Sequence, residues 1–225
     1  RAASRLVILM LSAVGPAASL SALSRPSAPP LSSLREIAAI SHQDAARELP
    51  AAFEATVTYF RGYEKTLFVQ DGAYAIYVGA TTSLPLVPGD RILVRGSTRD
   101  SFRPIVVASD ISLLRHGDPP LPAHASYAAM IRSEFDCRSV TVRGRVVAAN
   151  PTLSSGRTIT ALELRMDGGY VGISIDDNAP GQFNALLDAE VAVTGVASGQ
   201  FDGKMQQTGL LIHVSNFCHI KGLAS

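Results

Sequence analysis

Four residues in the first half of the chain have the types and spacing of a binding surface. Phe68 and Gln70 alternate with apolar residues before an Asp-Gly turn, Tyr77 does so after it, and Phe60 stands near the end of the preceding pattern. Aromatic side chains on the solvent face of a strand offer flat apolar surfaces for stacking or for a partner's side chain. We therefore predict a ligand-binding face composed of Phe60, Phe68, Gln70 and Tyr77. The alternative, which we favour, is ordinary packing: a helix or a second barrel covers these residues.

The other residues that could do chemistry do not form a site. The five histidines are scattered without metal-ligand spacing, and Asp71, Asp90 and Asp167 occur in turns, where Asp side chains bond to their own backbone. No serine has the G-x-S-x-G context of a nucleophile, and no glycine cluster follows a strand as a phosphate site requires. We predict no catalytic residue, no metal site and no cofactor, and hence a segment that is not an enzyme.

The two cysteines, Cys137 and Cys218, flank the strand patterns of the second half of the chain. An oxidising compartment would permit a disulfide between them, which would close a long loop and stabilise the fold. Two free thiols are the alternative, because the separation of the two residues cannot be read from the sequence.

The elements that would position the aromatic residues are short strands. From Thr66 to Gly96, alternation around the Asp-Gly turn and a second reversal at Pro88-Gly89 predict three strands in close succession. A strand before them, residues 52–60, should direct Phe53, Ala55, Val57 and Tyr59 inward and Phe60 outward. Such spacing leaves no room for crossover helices, so we expect an antiparallel sheet that is closed or nearly closed.

The second half of the chain repeats this pattern. VQDGAYAIYV at 69 aligns with RMDGGYVGISI at 165, and RILVRG at 91 aligns with EVAVTG at 190. The order of strands is kept while insertions accumulate in loops, as expected for two copies of one domain. We predict an all-β fold of two tandem OB-like five-stranded barrels, each with a short helix.

The second copy carries a different set of residues on the predicted binding face. Arg143, Arg145, Glu163 and Arg165 occupy it. Three arginines could hold an anion, but the alternating glutamate favours a solvated face of mixed charge.

The sequence also predicts how the chain is divided. An apolar run after Arg1 and Arg5 is followed by a Gly-Pro break and small residues, which is the order of a secretory signal. The predicted segments are a signal-like segment 1–23, a Pro/Ser-rich linker 24–33, a first OB-like domain 34–115, a linker 116–124 and a second OB-like domain 125–225. We therefore expect an exported protein, periplasmic or extracellular, that meets a membrane only through the signal or a segment beyond the chain.

The charge of the chain bears on its partners. Twenty Lys and Arg residues stand against nineteen Asp and Glu, a net charge of +1, whereas nucleic-acid binders normally carry a basic excess. The composition thus predicts that nucleic acid is an unlikely partner, and leaves an unknown small ligand or a protein partner, with no prediction of oligomeric state.

The stretch from Leu34 to Val78, the motif PGDRILVRG after it and the second OB-like copy resemble a known family. They are similar to the exported N-terminal sensory region of acidobacteria-type two-component sensor histidine kinases. The resemblance implies a non-catalytic, extracytoplasmic sensory region that binds a ligand or partner and is followed by a membrane segment and a kinase module. The alternative is a pair of OB-fold accessory domains of a secreted nuclease or other hydrolase that bind nucleic acid through the same aromatic residues. In a third interpretation the two barrels act only as a spacer.

Overall fold

The computed structural model describes residues 29–177, 183–204 and 206–223. The predicted signal-like segment 1–23 lies outside these residues. Within them, no helix has the length and apolarity that crossing a bilayer would require.

Two short helices precede the first barrel, and each begins at a serine. The side chain of Ser33 accepts a hydrogen bond from the backbone N–H of Glu36 at the start of α1, Leu34–Ala39. Ser41 does the same for Asp44 at the start of α2, His42–Ala45. These caps satisfy backbone donors that a helix leaves unpaired at its first turn.

The first barrel has five strands, which pair in the order β1-β2-β3-β5-β4 and close through β1 and β4. The strands are β1, Pro50–Arg61; β2, Thr66–Asp71; β3, Tyr74–Gly79; β4, Arg91–Arg99; and β5, Ile105–Arg115. The pairing of β3 with β5 is parallel and the other pairings are antiparallel, so the prediction of a wholly antiparallel sheet is wrong at this one position. Inward residues such as Phe53, Val57 and Leu67 form the core, and Leu34 and Ile37 of α1 pack against them.

A β-bulge in β1 changes which side chains point inward. Val57 pairs with Val69, but the next pair is Tyr59 with Phe68, so Thr58 is the extra residue. An extra residue reverses the alternation of every side chain that follows it. Tyr59 therefore leaves the barrel interior and Phe60 packs against the core, which is the reverse of the predicted arrangement.

The linker after β5 lies against the first barrel. The imidazole Nδ1 of His116 is 2.7 Å from the carboxylate of Asp90. Gly89, in the turn before β4, has a φ of +102°, and a Cβ there would clash with the carbonyl group of Gly117. Glycine is thus required both by the backbone conformation and by the close approach of the linker.

The second half of the described chain forms a sheet that contains the same five-stranded arrangement. Its elements are β6, Ala123–His124; α3, Tyr127–Ile131; β7, Ser139–Ser154; β8, Arg157–Met166; β9, Gly169–Ile175; β10, Glu190–Phe201; β11, Gln207–Val214; and β12, Ile220–Gly222. The pairings β7-β8-β9-β11-β10, with β10 returning to β7, repeat the strand order of the first barrel. A bulge between Val146 and Ala148 repeats the bulge of β1. The prediction of an all-β fold with two OB-like units is confirmed.

Candidate functional site

The predicted binding face of the first barrel is covered by the second barrel. Phe68 is 4% exposed, and it packs with Tyr59 and Val196 in a cluster between the two barrels. Tyr77 packs against the same cluster and stands edge-on to Phe68, with ring centroids 5.6 Å apart. The face is therefore an inter-barrel contact, as the favoured interpretation of the sequence expected.

The other two predicted residues have structural roles. Gln70 is 5% exposed, and its side chain accepts a hydrogen bond from the backbone N–H of Ser139 at 3.1 Å and donates one to the carbonyl oxygen of Gly72 at 3.0 Å. Phe60 is partly buried and packs against the core of the first barrel because of the bulge. Phe68 and Tyr77 also line the cleft between the barrels, which is described below.

A polar network that the sequence analysis did not find joins the barrels. The side chain of Arg61 is 3% exposed, and its Nε donates to Oδ1 of Asp176 at 2.7 Å. Nη2 of Arg61 donates to Ser174 at 2.8 Å, and the hydroxyl of Tyr59 donates to Asp176 at 2.8 Å. Burial raises the pKa of Asp176, and Arg61 opposes this effect. No local sequence signal identifies this network, because its partners lie far apart in the chain.

His213 lies at the centre of the interface. Its ring is 5.1 Å from the rings of Tyr59 and Phe68, measured between centroids, and its Nε2 is 3.0 Å from the hydroxyl of Ser198. Its buried Nδ1 has no hydrogen-bond partner among the described residues. Burial lowers the pKa of His213 to about 4, with a smaller contribution from Arg61, so the imidazole is neutral at neutral pH.

Next to this interface is an open cleft of about 700 Å³ between the barrels. Phe68 and Tyr77 of the first barrel and Ser198 and His213 of the second line it. The loop 100–104, which joins β4 to β5, and the ends of β10 and β11 also line the cleft. There Phe102 of the first barrel and Phe201 of the second stand with ring centroids 4.5 Å apart.

Among the described residues that line the cleft, Arg103 is the one arginine or lysine, and it therefore carries the permanent positive charge there. Its Nε is 3.4 Å from the carboxylate of Asp136, and Nη2 donates to the carbonyl oxygen of Ser133 at 3.0 Å. Burial raises the pKa of Asp136, and the positive charge of Arg103 lowers it by a smaller amount. Because the guanidinium is half exposed, it remains accessible to an anion in the cleft.

Both cysteines are free thiols, so the predicted disulfide is not formed. Cys137 lines the cleft and packs against the cluster of Tyr59 and Phe68, and burial raises the pKa of its thiol. Cys218 is exposed in a 3₁₀ turn, where its thiol contacts the side chain of Asn216. Their surroundings differ because Cys137 faces the first barrel, whereas Cys218 faces solvent.

The corresponding face of the second barrel is exposed. Arg165 on β8 and Tyr170 on β9 are directly opposite each other, and Tyr170 is 55% exposed. Arg145, on the neighbouring strand, donates a hydrogen bond to the carbonyl oxygen of Asp188 at 2.6 Å and forms an ion pair with the carboxylate of Glu190 at 3.1 Å. No group of three or more His, Cys, Asp or Glu side chains that could hold a metal ion occurs within the described ranges.

Comparisons with known proteins give fold neighbours at low similarity. No family profile and no curated protein matches the chain. Among solved structures, fission yeast Pot1 with single-stranded DNA is 10% identical with a TM-score of 0.37, over 86% of this chain and 88% of that chain. A replication protein A heterotrimer bound to single-stranded DNA is 12% identical with a TM-score of 0.35, over 82% of this chain and 50% of that chain. The telomere capping protein Ten1 from Saccharomyces pombe is 19% identical with a TM-score of 0.26, over 33% of this chain and 77% of that chain.

These comparisons correct three predictions made from the sequence. The Pot1 and replication protein A structures contain single-stranded DNA, Ten1 is a telomere capping protein, and none of the three is a sensory region. They stand against the predicted sensory function, the exported location and the exclusion of nucleic acid as a partner. The exclusion had a physical weakness, since net charge averages over the whole surface and says little about one cleft. At these TM-scores the likeness carries no inference about what this chain binds, so the case for a ligand must come from its own residues.

Proposed function

We propose that this chain is a non-catalytic module that binds single-stranded nucleic acid in the cleft between its barrels. The observation that carries the proposal is the position and lining of that cleft. It is bounded by the loop between β4 and β5 of the first barrel, by the ends of β10 and β11 of the second, and by the aromatic residues Tyr77, Phe102 and Phe201. In OB folds, the face of strands two and three and the loop between strands four and five are the surfaces that bind oligonucleotides and oligosaccharides.

The aromatic lining favours unpaired bases. Tyr77, Phe102 and Phe201 are each partly exposed at the cleft. Base stacking on an aromatic ring contributes roughly 1 to 3 kcal/mol per base, and it is sequence-tolerant because every base has a flat face. The bases of a duplex are already stacked on each other, so the rings can receive bases only from a single strand.

The polar residues of the cleft suit a strand held by stacking more than by charge. Gln200, Thr66 and Thr208 offer hydrogen-bonding groups to base edges or sugars, and Arg103 offers one positive charge to a phosphate or to a base face. For single strands, the slope of log K against log salt is about −0.7 per phosphate neutralised. With one or two phosphates contacted, we expect binding that depends weakly on salt, which agrees with the net charge of +1.

The test is fluorescence anisotropy of a labelled oligothymidylate of about 12 nucleotides, a length within the site size of OB folds, titrated at low salt. Phe102→Ala should weaken binding roughly 5- to 150-fold, the loss expected when one base loses its stacking partner. The matched control is Leu121→Ala, which removes a side chain that is 93% exposed in the linker and should leave the affinity unchanged.

Two outcomes would overturn the proposal. One is no anisotropy change with the unaltered chain at about 100 µM, the weak end of non-specific affinities. The other is equal affinity of Phe102→Ala and Leu121→Ala. A longer oligothymidylate annealed to its complement should bind more weakly than the free strand.

A further inference from the structure

The internal repeat shows one surface in two different states. In the first barrel the outer face of β2 and β3 is covered by the second barrel. In the second barrel the equivalent face, on β8 and β9, leaves Glu163, Arg165 and Tyr170 exposed. Tyr170 is thus a large aromatic residue that is exposed to solvent beside Arg165 on a sheet face. Packing does not explain its exposure.

The exposed face is continuous with the cleft. Glu163 is opposite Gly172, the parallel pairing of β9 with β11 places Leu211 beside Gly172, and Leu211 is opposite Ser198. Leu211 and Ser198 line the cleft. Since neighbouring strands are about 4.8 Å apart, this row extends about 14 Å from Glu163 to Ser198, and the pair of Arg165 and Tyr170 forms the next row of the same face.

Two glycines near the junction of the face and the cleft are covered by neighbouring side chains. A Cβ at Gly209 would lie 2.7 Å from Oε1 of Gln200, so the amide of Gln200 lies directly over that glycine. A Cβ at Gly172, on β9, would lie 3.2 Å from Leu211 and 3.7 Å from Nε2 of Gln200. The surface between the face and the cleft therefore consists of the side chains of Leu211 and Gln200, and the amide of Gln200 offers a hydrogen-bonding group to a strand that passes over it.

The charges of the face favour one course for a phosphodiester backbone. Arg143 and Arg165 are exposed and form no ion pair with another residue in the described part of the chain, and Arg143 is diagonal to Arg165 across β7 and β8. The face also carries two carboxylates, Glu163 and Asp167. A backbone that crosses the face must approach the two arginines and avoid Glu163, which lies in the row next to that of Arg165 and Tyr170.

We propose that the single strand held in the cleft continues over the second barrel, with a base on Tyr170 and phosphates at Arg165 and Arg143. This inference rests on the proposed function. It extends the binding site from the cleft to a second region, which contacts the phosphates and a base of the same strand. The chemistry of the face decides the assignment, because exposed guanidinium groups pair with phosphate and an exposed ring stacks on a base.

The experiment compares single-residue variants at exposed positions by anisotropy, with oligothymidylates of about 4 and about 12 nucleotides. Arg165→Gln should weaken binding of the longer strand roughly three- to tenfold at about 50 mM salt and make the salt slope shallower by about 0.7, the value for one phosphate. The shorter strand, which fits within the cleft, should bind as before. Tyr170→Ser should weaken the longer strand without changing the salt slope.

Two further variants make the result specific. Glu163→Gln should strengthen binding of the longer strand, because it removes a repulsive charge, and partial unfolding cannot produce such a gain. Arg47→Gln is the matched control, since it makes the same change of net charge at an exposed arginine in the turn between α2 and β1 of the first barrel.

The outcomes separate the two proposals. If Phe102→Ala weakens binding while Arg165→Gln and Arg47→Gln have equal affinities and equal salt slopes, the extended site is overturned and the cleft remains. If the unaltered chain binds neither oligonucleotide, both proposals are overturned.

Discussion

Nε of Arg61 in the first barrel donates to Oδ1 of Asp176 in the second at 2.7 Å, although 115 positions separate the two residues in the chain. The guanidinium is almost fully buried, and it also contacts the carboxylate of Glu64, 3.0 Å from Nη1, and the hydroxyl of Ser174. This buried ion pair holds the two barrels in one arrangement, and that arrangement defines the walls of the cleft. Two barrels joined by a flexible linker alone would leave no defined cleft.

The first prediction concerns this ion pair. Asp176→Ala leaves the buried cation of Arg61 with the carboxylate of Glu64 as its remaining ion-pair partner. It should lower the free energy of unfolding by about 2 kcal/mol, which is less than the roughly 3 to 5 kcal/mol expected when a buried charge is left without any partner. Asp110→Ala is the control, since it breaks the exposed pair with Arg95 and should cost less than about 1 kcal/mol. Urea denaturation at neutral pH measures both changes. Similar losses for the two variants would show that the inter-barrel pair is dispensable.

The second prediction concerns pH. The folded-state pKa of His213 is about 4, below its ordinary value of 6.5, so the unfolded chain binds a proton in this interval that the folded chain does not. The free energy of unfolding should therefore fall as the pH is lowered from about 6.5 to about 4, by up to about 3 kcal/mol from this residue.

Burial raises the pKa values of Asp136 and Asp176, and these two groups act in the opposite direction at the acid end. The measurement is therefore the difference in pH dependence between the unaltered chain and His213→Gln, both followed by urea denaturation. A variant with an undiminished fall in stability between these pH values would contradict the assignment to His213.

The third prediction concerns the thiols. Cys218 is exposed, whereas the Cys137 thiol faces the barrel interface and burial raises its pKa. A thiol reagent at neutral pH should react rapidly with one group per chain, and with a second only after unfolding. Cys218→Ser should remove the rapid phase. Absence of any reactive thiol in the unfolded, non-reduced chain would restore the disulfide predicted from the sequence.

The fourth prediction compares equivalent faces of the two barrels. Phe68→Ala removes a buried ring from the interface and should destabilise the chain by about 3 to 5 kcal/mol. Tyr170→Ala removes a mostly exposed ring and should change the stability by less than about 0.5 kcal/mol. Thermal or urea unfolding distinguishes the two, and a large loss for Tyr170→Ala would indicate that this residue serves packing.

Much of the fold could be predicted because its signals are local. The alternation around the Asp71-Gly72 turn, its repetition at Asp167 and the serine caps before the helices act over a few residues. The site was predicted less well. Phe68 and Tyr77 do line the cleft, but Phe102 and Phe201 belong to loops and strand ends without a periodic pattern, and they come together only when the barrels pack.

By itself, the sequence determined the strands, the turns and the duplication, because side-chain alternation and turn chemistry act between neighbours in the chain. Tertiary structure decided which faces are used. One extra residue at Thr58 turns Tyr59 outward and Phe60 inward, a change that periodicity does not reveal. Packing of the second barrel buried Phe68 and Gln70 and left Tyr170 exposed, because the choice of face depends on complementarity between residues far apart in the chain.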